Sequence, residues 1–251
     1  MQTDYVDSYY SRTLATHVEY APLQGMVEAD VCVIGGGIAG VSTAWELTQR
    51  GLSVVVLEKN RVAWGASGRN GGQVGGTPRL DVEDLESRYG VDVARRHWQL
   101  NQAALAEVRQ RIDKHAINCD WKDGIITTCH RPRDEDWYKH HVEKLITDYD
   151  ARHIAYISGA GMKQHIDSPV CHGGMIDRNS GHLHPLNFAL GLAQAATAAG
   201  AEIYEHSRAL KIDHKSPGTV RTDCGYIIAE HIVLGCNGYL ENLEPRLAGK
   251  I

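Results

Sequence analysis

Asp30-Val-Cys-Val-Ile-Gly-Gly-Gly-Ile-Ala-Gly40 is the stretch that decides the fold. Residues 31–34 form an unbroken apolar run, which marks a strand covered on both faces. Glycines follow at positions 35, 37 and 40, and a helical pattern begins at once. At this spacing Gly35 makes the tight turn out of the strand, and Gly37 leaves room for backbone to approach a pyrophosphate. Gly40 lets the helix lie close on the sheet. The N–H groups and dipole at the helix start, around Ile38 and Ala39, are suited to phosphate oxygens.

Outward from this turn, residues 38–50 read as a helix. Gly40, Ala44 and Leu47 fall on one side, with Val41 and Trp45 adjoining them. Gly51 stands where a C′ glycine belongs. Ser53-Val-Val-Val-Leu-Glu58 is a second buried strand, so strand, turn, helix and strand make one right-handed parallel βαβ unit. Glu58 ends that strand 23 residues after Gly35, where a dinucleotide fold places a carboxylate for ribose hydroxyls. Its charge repels a 2′-phosphate, which argues against NADP.

The next segment separates the possible cofactors. An NAD-binding half would pass quickly into another helix and strand. Here the chain runs Lys59-Asn-Arg-Val-Ala-Trp-Gly-Ala-Ser-Gly-Arg-Asn-Gly-Gly-Gln-Val-Gly-Gly76, with six glycines between positions 65 and 76. Such a loop exposes many N–H groups and lets backbone pass close to a flat ligand. Ser67 can bond a phosphate, and Arg69 can neutralise one or hold a substrate carboxylate.

Taken together, residues 30–40, Glu58 and Gly65-Ala-Ser-Gly-Arg-Asn-Gly-Gly-Gln73 resemble the D-amino-acid-oxidase-like group of FAD-dependent amine oxidases. The resemblance implies an α/β protein: a Rossmann-type FAD-binding domain with a parallel central sheet, plus an inserted α+β substrate domain that is incomplete here. It implies FAD as cofactor. Gly35, Gly37, Ile38, Ala39, Gly40, Glu58 and Lys59 would hold its ADP half. Ser67, Gly68, Arg69, Asn70, Gly71, Gly72 and Gln73 would lie along its pyrophosphate and flavin. Ala209 would offer main chain to adenine, and Asn237 and Gly238 a late turn against the cofactor. The implied chemistry is oxidation of a small-molecule amine with molecular oxygen as acceptor, and no catalytic residue is assigned. The domain order would be an N-terminal arm (1–26), a first FAD-binding part (27–115) and a first substrate part (116–180). A second FAD-binding part (181–240) and the start of another substrate segment (241–251) would follow. Members of the group continue further, so the chain reads as the N-terminal portion of a longer enzyme. Alone, it is expected to fold poorly or bind FAD weakly.

The remaining sequence adds detail. In 251 residues the net charge is −5, without a long block of either sign, so no nucleic acid and no anionic membrane are expected as partners. The arm is polar, Tyr-rich and expected as a surface extension. It lacks a basic region followed by an apolar core, and six cysteines occur without a C-x-x-C pair. The expectation is a soluble protein of a reducing, cytoplasmic compartment. Residues 80–89, 91–115 and 134–152 read as helices, and residues 119–121 with 124–129 as a short hairpin. His140-His141 reads as a solvated helix face. Residues 168–185 read as a polar loop whose His182-x-His184 lacks the partners of a metal site, so no metal is expected. A small-residue helix over 186–199 ends at Gly200. Short strands over 202–205, 209–213, 219–222 and 226–229 follow, and then a strand and glycine turn over 231–238.

Overall fold

The computed structural model describes residues 5–250; residues 1–4 of the expected arm, and Ile251, lie outside the described residues. In chain order the elements begin with α1 (Tyr9–Arg12), β1 (Gly25–Ile34), α2 (Ile38–Gln49), β2 (Val54–Leu57) and β3 (Gln73–Val74). Next come α3 (Val82–Tyr89), α4 (Val91–Lys114), β4 (Lys122–Thr128), α5 (Glu135–Tyr149), β5 (Ile154–Ser158) and α6 (Gly159–Met162). The chain continues with β6 (Gly173–His182), α7 (Pro185–Ala198), β7 (Glu202–Tyr204), β8 (Lys211–Asp213), β9 (Gly218–Arg221), β10 (Gly225–Leu234) and α8 (Pro245–Ala248).

These elements fall into two compact units. The first takes the chain up to Asn70, Arg111–Cys119 and everything from His184 onward. The second takes Gly71–Gln110 and Asp120–Leu183.

The first unit carries a six-stranded sheet of order β7-β2-β1-β10-β9-β8. Its four strands β7, β2, β1 and β10 run parallel, and β9 and β8 complete it antiparallel. Val31 to Ile34 of β1 and all of β2 are buried, which is why both read as continuous apolar runs. On one side the sheet packs a core of Leu23, Cys32, Leu57, Val220 and Ile227. Burial there pushes the Cys32 thiol up to about 12. Helix α7 is buried nearly all round, including Leu186, Phe188, Leu190 and Leu192, and packs against α2.

In the second unit β6 is the axis of the sheet. It pairs antiparallel with β4, and also with β3 and β5. A core of Val82, Leu85, Ala94, Trp98, Val142, Leu145 and Ile154 joins α3, α4, α5 and β5.

Several sequence expectations change. Residues 119–129 form no hairpin: β4 is a single strand, and its partner β6 lies far along the chain. Most of the expected polar loop over 168–185 is that ten-residue strand. Its polar residues hid it. Asp177 accepts the N–H groups of Asn179 (3.0 Å) and Ser180 (3.2 Å) and the Ser180 hydroxyl, so these side chains are satisfied while buried. Residues 225–234, expected as two pieces, form one strand parallel to β1 and antiparallel to β9. His141 is buried rather than solvated, stacked on Trp137 at 4.6 Å with Nδ1 2.9 Å from Glu83; its neighbour His140 is exposed. The division of the chain also differs from the expected one. Residues 71–110 group with the second unit, because α3 and α4 bury Val82 and Trp98 against α5 across long sequence separations.

The described part of the arm is bound down. Leu23 is 1% exposed, and its N–H donates to Ser207 Oγ at 2.8 Å. Thr13 Oγ1 lies 3.1 Å from His184 Nε2, and the Ala15 N–H donates to Asn187 Oδ1 at 3.0 Å. No helix among the described residues is long and apolar enough to cross a membrane. If the arm is part of the core, Leu23→Ala lowers unfolding stability by about 2–5 kcal/mol. Urea denaturation measures this, and a loss below about 1 kcal/mol would return the arm to a surface extension.

Candidate functional site

The site starts from the glycine turn between β1 and α2. Gly35 has φ of +110°, and its N–H donates to Leu57 O at 2.8 Å. A Cβ there would meet Gly235 O at 2.7 Å. The tightest position is Gly40, whose Cβ would lie 1.9 Å from Gly35 O and 3.3 Å from Val33 Cγ1. Gly40 therefore does what its position predicts, letting the first turn of α2 sit directly on the strand end.

Glu58 follows β2, and its carboxylate faces the same turn. Its Oε2 accepts the Gly36 N–H at 2.8 Å, and Oε1 accepts the Asn60 N–H at 2.8 Å. Burial pushes this carboxyl above its ordinary range, and the N–H groups of Asn60, Gly36 and Lys59 oppose that rise. A carboxylate has about four acceptor positions. Backbone donors take at most three, so the carboxylate retains acceptor capacity for a ligand hydroxyl.

Helix α2 has no side-chain cap of its own, because its N-cap is Gly37. Ser67, from the short 3₁₀ turn Ala66–Gly68, does this work instead: its Oγ accepts the Ile38 N–H at 2.9 Å. One of the helix-start N–H groups expected to be free is thus already bonded. The Ser67 hydroxyl keeps its own proton to donate. A Cβ on Gly37 would lie 2.8 Å from that Oγ, so the glycine is what lets Ser67 reach the helix. Gly68 packs under the loop; a Cβ there would lie 2.3 Å from Ala63 O. Asn70 Nδ2 donates to Ala66 O (3.1 Å) and Ser67 O (3.0 Å), and the Arg69 guanidinium lies over Trp64 at 4.5 Å.

These elements enclose a cavity of about 380 Å³. Of the residues singled out from sequence, Gly35, Gly37, Glu58, Lys59, Ser67, Ala209 and Asn237 line it. Ile38, Ala39, Gly40, Gly68, Arg69, Asn70 and Gly238 are in the same unit but do not line it. Gly71, Gly72 and Gln73 belong to the second unit, where Gln73 pairs with His182 and Gly72 O accepts the Leu183 N–H. Among the described residues no cluster of three or more His, Cys, Asp or Glu side chains could hold a metal ion. His184 instead caps α7, its Nδ1 accepting the Asn187 N–H at 3.1 Å.

Sequence reading missed part of the cavity wall. Lys59 Nζ donates to Glu241 Oε1 at 2.7 Å, and Arg208 binds the other oxygen of the same carboxylate. The hydrogen bond from Lys59, with these two cations, holds Glu241 below the usual carboxylate range. Tyr239 lies against Gly65, with its ring 3.2 Å from where a Cβ would stand. Lys59 and Glu241 are 182 positions apart, and no local pattern pairs them.

A helix N-terminus, a hydroxyl beside it and a carboxylate with lone pairs to spare, all at one cavity, suit the ADP portion of a dinucleotide. Strand, glycine turn, helix and strand-end carboxylate define a dinucleotide-binding protein of the Rossmann type. The family model "FAD dependent oxidoreductase" matches residues 30–251, and the chain belongs to that family. The chain is 32% identical over 255 residues to gamma-glutamylputrescine oxidoreductase of Escherichia coli (strain K12), covering 98% of this chain and 58% of that protein. It is 34% identical over 245 residues to the probable oxidoreductase OrdL of Haemophilus influenzae, covering 97% and 57%. The chain thus spans less than two thirds of the curated relatives it matches. Two solved structures share the fold. Glycine oxidase from Geobacillus kaustophilus superposes with a TM-score of 0.68 at 23% identity, over 88% of this chain and 58% of that one. An L-amino acid deaminase from Proteus vulgaris, with its specific insertion deleted, gives 0.72 at 22% identity over 98% and 62%.

Two glycines separate contact from backbone angle. Gly51 has φ of +83° and nothing near its missing Cβ, so Gly51→Ala costs about 1–2 kcal/mol. Gly40→Ala meets a carbonyl that cannot step aside and costs more than about 3 kcal/mol. Denaturant unfolding of both variants checks the order; equal losses would refute the close-approach role of Gly40.

Proposed function

We propose that this chain holds the ADP half of FAD in an enzyme that oxidises a primary amine, with gamma-glutamylputrescine as the substrate. The products are an aldehyde, ammonia and hydrogen peroxide, with molecular oxygen as electron acceptor. The observation that carries the cofactor reading is the convergence of Glu58, Ser67 and the α2 N-terminus on one cavity. The substrate reading is supported by the 32% identity to a protein of that name along 98% of this chain. FAD, when bound, supplies the acceptor for the hydride equivalent leaving the amine carbon.

The roles of the chain's own residues follow from their donors and acceptors. The Glu58 carboxylate accepts hydrogen bonds from the adenosine ribose hydroxyls through its remaining lone pairs. The Ser67 hydroxyl donates to a phosphate oxygen while its lone pair keeps the Ile38 N–H satisfied. Gly35 and Gly37 keep the turn free of side chains where the pyrophosphate passes. Lys59, Ala209 and Asn237 line the adenosine side. The exposed Arg69, set over Trp64, is proposed to receive the substrate carboxylate.

Glycine or sarcosine oxidation is the second reading, favoured by the fold shared with glycine oxidase. The FAD-loaded protein reduced anaerobically by gamma-glutamylputrescine loses its flavin absorbance bands. Bleaching by glycine or sarcosine alone would replace the first substrate class with the second. Unchanged bands with every amine, despite bound FAD, would reject the oxidase reading.

Glu58 also predicts a pH dependence. Its raised folded-state pKa means that its stabilising contribution is full below the ordinary value of 4.5 and is lost as pH rises through the folded value. Ribose hydroxyls donating to the carboxylate favour the ionised form. FAD affinity therefore increases as pH rises through that value, and Glu58→Gln removes the increase. Flavin-fluorescence titrations across this range check it; a wild-type profile as flat as the variant's would contradict ribose recognition by Glu58.

A further inference from the structure

Glu205 follows β7, is 1% exposed, and lies outside the cavity lining. A buried carboxylate needs strong partners, and this one has three. Its Oε1 accepts the Val62 N–H at 2.7 Å. Its Oε2 accepts the Tyr20 N–H at 3.1 Å and forms an ion pair with Arg61 Nε at 3.0 Å. Arg61 also donates to Val18 O at 2.5 Å, and the Tyr5 hydroxyl donates to Val62 O at 2.7 Å. One carboxylate therefore ties the N-terminal arm to the loop over residues 58–63.

That loop is the one that shapes the cavity. Its Ala63, at φ of +60°, donates its N–H to Gly36 O at 2.9 Å, linking the loop's far end to the glycine turn. Asn60 donates its N–H to Glu58 and accepts the His206 N–H at 2.9 Å. Ser207 N–H donates to Glu58 O at 2.8 Å and Tyr204 O accepts the Glu58 N–H at 2.9 Å, so the chain on both sides of Glu205 is bonded to the loop. Without Glu205, the Val62 and Tyr20 N–H groups lose their acceptor and the Arg61 guanidinium loses this counter-charge, in a site where water does not replace it.

We propose that Glu205 is a positioning residue for cofactor binding: through Val62 and Arg61 it holds the 58–63 loop, and with it the Glu58 carboxylate, in the form that receives adenosine. This rests on the reading of the cavity as the FAD site. Glu205→Gln keeps the volume and one acceptor oxygen but removes the charge facing Arg61.

The test titrates FAD into wild type, Glu205→Gln, Glu58→Gln, the double variant and the core control Ile227→Val, with melting temperatures recorded alongside. Glu205→Gln is expected to weaken FAD binding about tenfold, the loss that follows from misplacing a hydrogen-bonded charged group. Ile227→Val is expected to lower the melting temperature while leaving FAD affinity unchanged. Because Glu205 acts through the loop bearing Glu58, the double variant binds no more than about twofold more weakly than Glu58→Gln alone. Wild-type affinity in Glu205→Gln, a loss of affinity in Ile227→Val matching its melting shift, or multiplicative losses in the double variant would each overturn the positioning role. A wild-type protein that melts cooperatively yet does not bind FAD would overturn the cavity reading itself, and the positioning role with it.

Discussion

The carbonyl of Gly35 and the α-carbon of Gly40 approach so closely that no side-chain atom fits between them. Helix α2 can start directly over the end of β1 only because of this contact. It sets the direction of the helix N-terminus and brings Gly37 within reach of Ser67. Val41 and Ala44 are also placed where they are fully buried. The same turn presents the Gly36 N–H to Glu58 and the Gly36 carbonyl to Ala63. Much of the cavity wall therefore hangs on one steric condition. It is met by glycines with different tasks: backbone angle at 35, room for Ser67 at 37 and bare contact at 40.

Two acids of the first unit are satisfied by backbone N–H groups. Glu58 and Glu205 each accept an N–H from the loop over residues 58–63; Glu58 accepts a second from the glycine turn, and Glu205 a second from the arm. Glu58 stays at the cavity with acceptor capacity left, whereas Glu205 spends its capacity inside the protein. Two acids on neighbouring strand ends thus do different work because of what surrounds them. The exposed trio of Lys59, Arg208 and Glu241 is a surface counterpart, worth little to stability when solvated.

The second unit is organised by β6, a strand that carries Asp177 and Ser180 inside and so lacks an apolar signature. Its hydrogen bonding to strands on both flanks compensates for that composition. The unit draws residues 71–110 into its core through Val82 and Trp98. A boundary read from changes in local pattern cannot detect such long-range packing.

Sequence alone determined the βαβ unit, the glycine spacing, the strand-end place of Glu58 and the glycine-rich run after it, because each depends on a short run of residues whose chemistry is local. It singled out Ser67, although not its bond to Ile38. Tertiary structure decided which of those residues face one cavity, that Gly68 serves packing, and that Lys59 pairs with Glu241. It likewise decided that β10 lies parallel to β1, that the arm reaches the core through Leu23, and that Glu205 is the buried tie between arm and loop. The physical reason is common to these cases: each depends on atoms brought together across long stretches of chain, where neither periodicity nor turn chemistry records the partner.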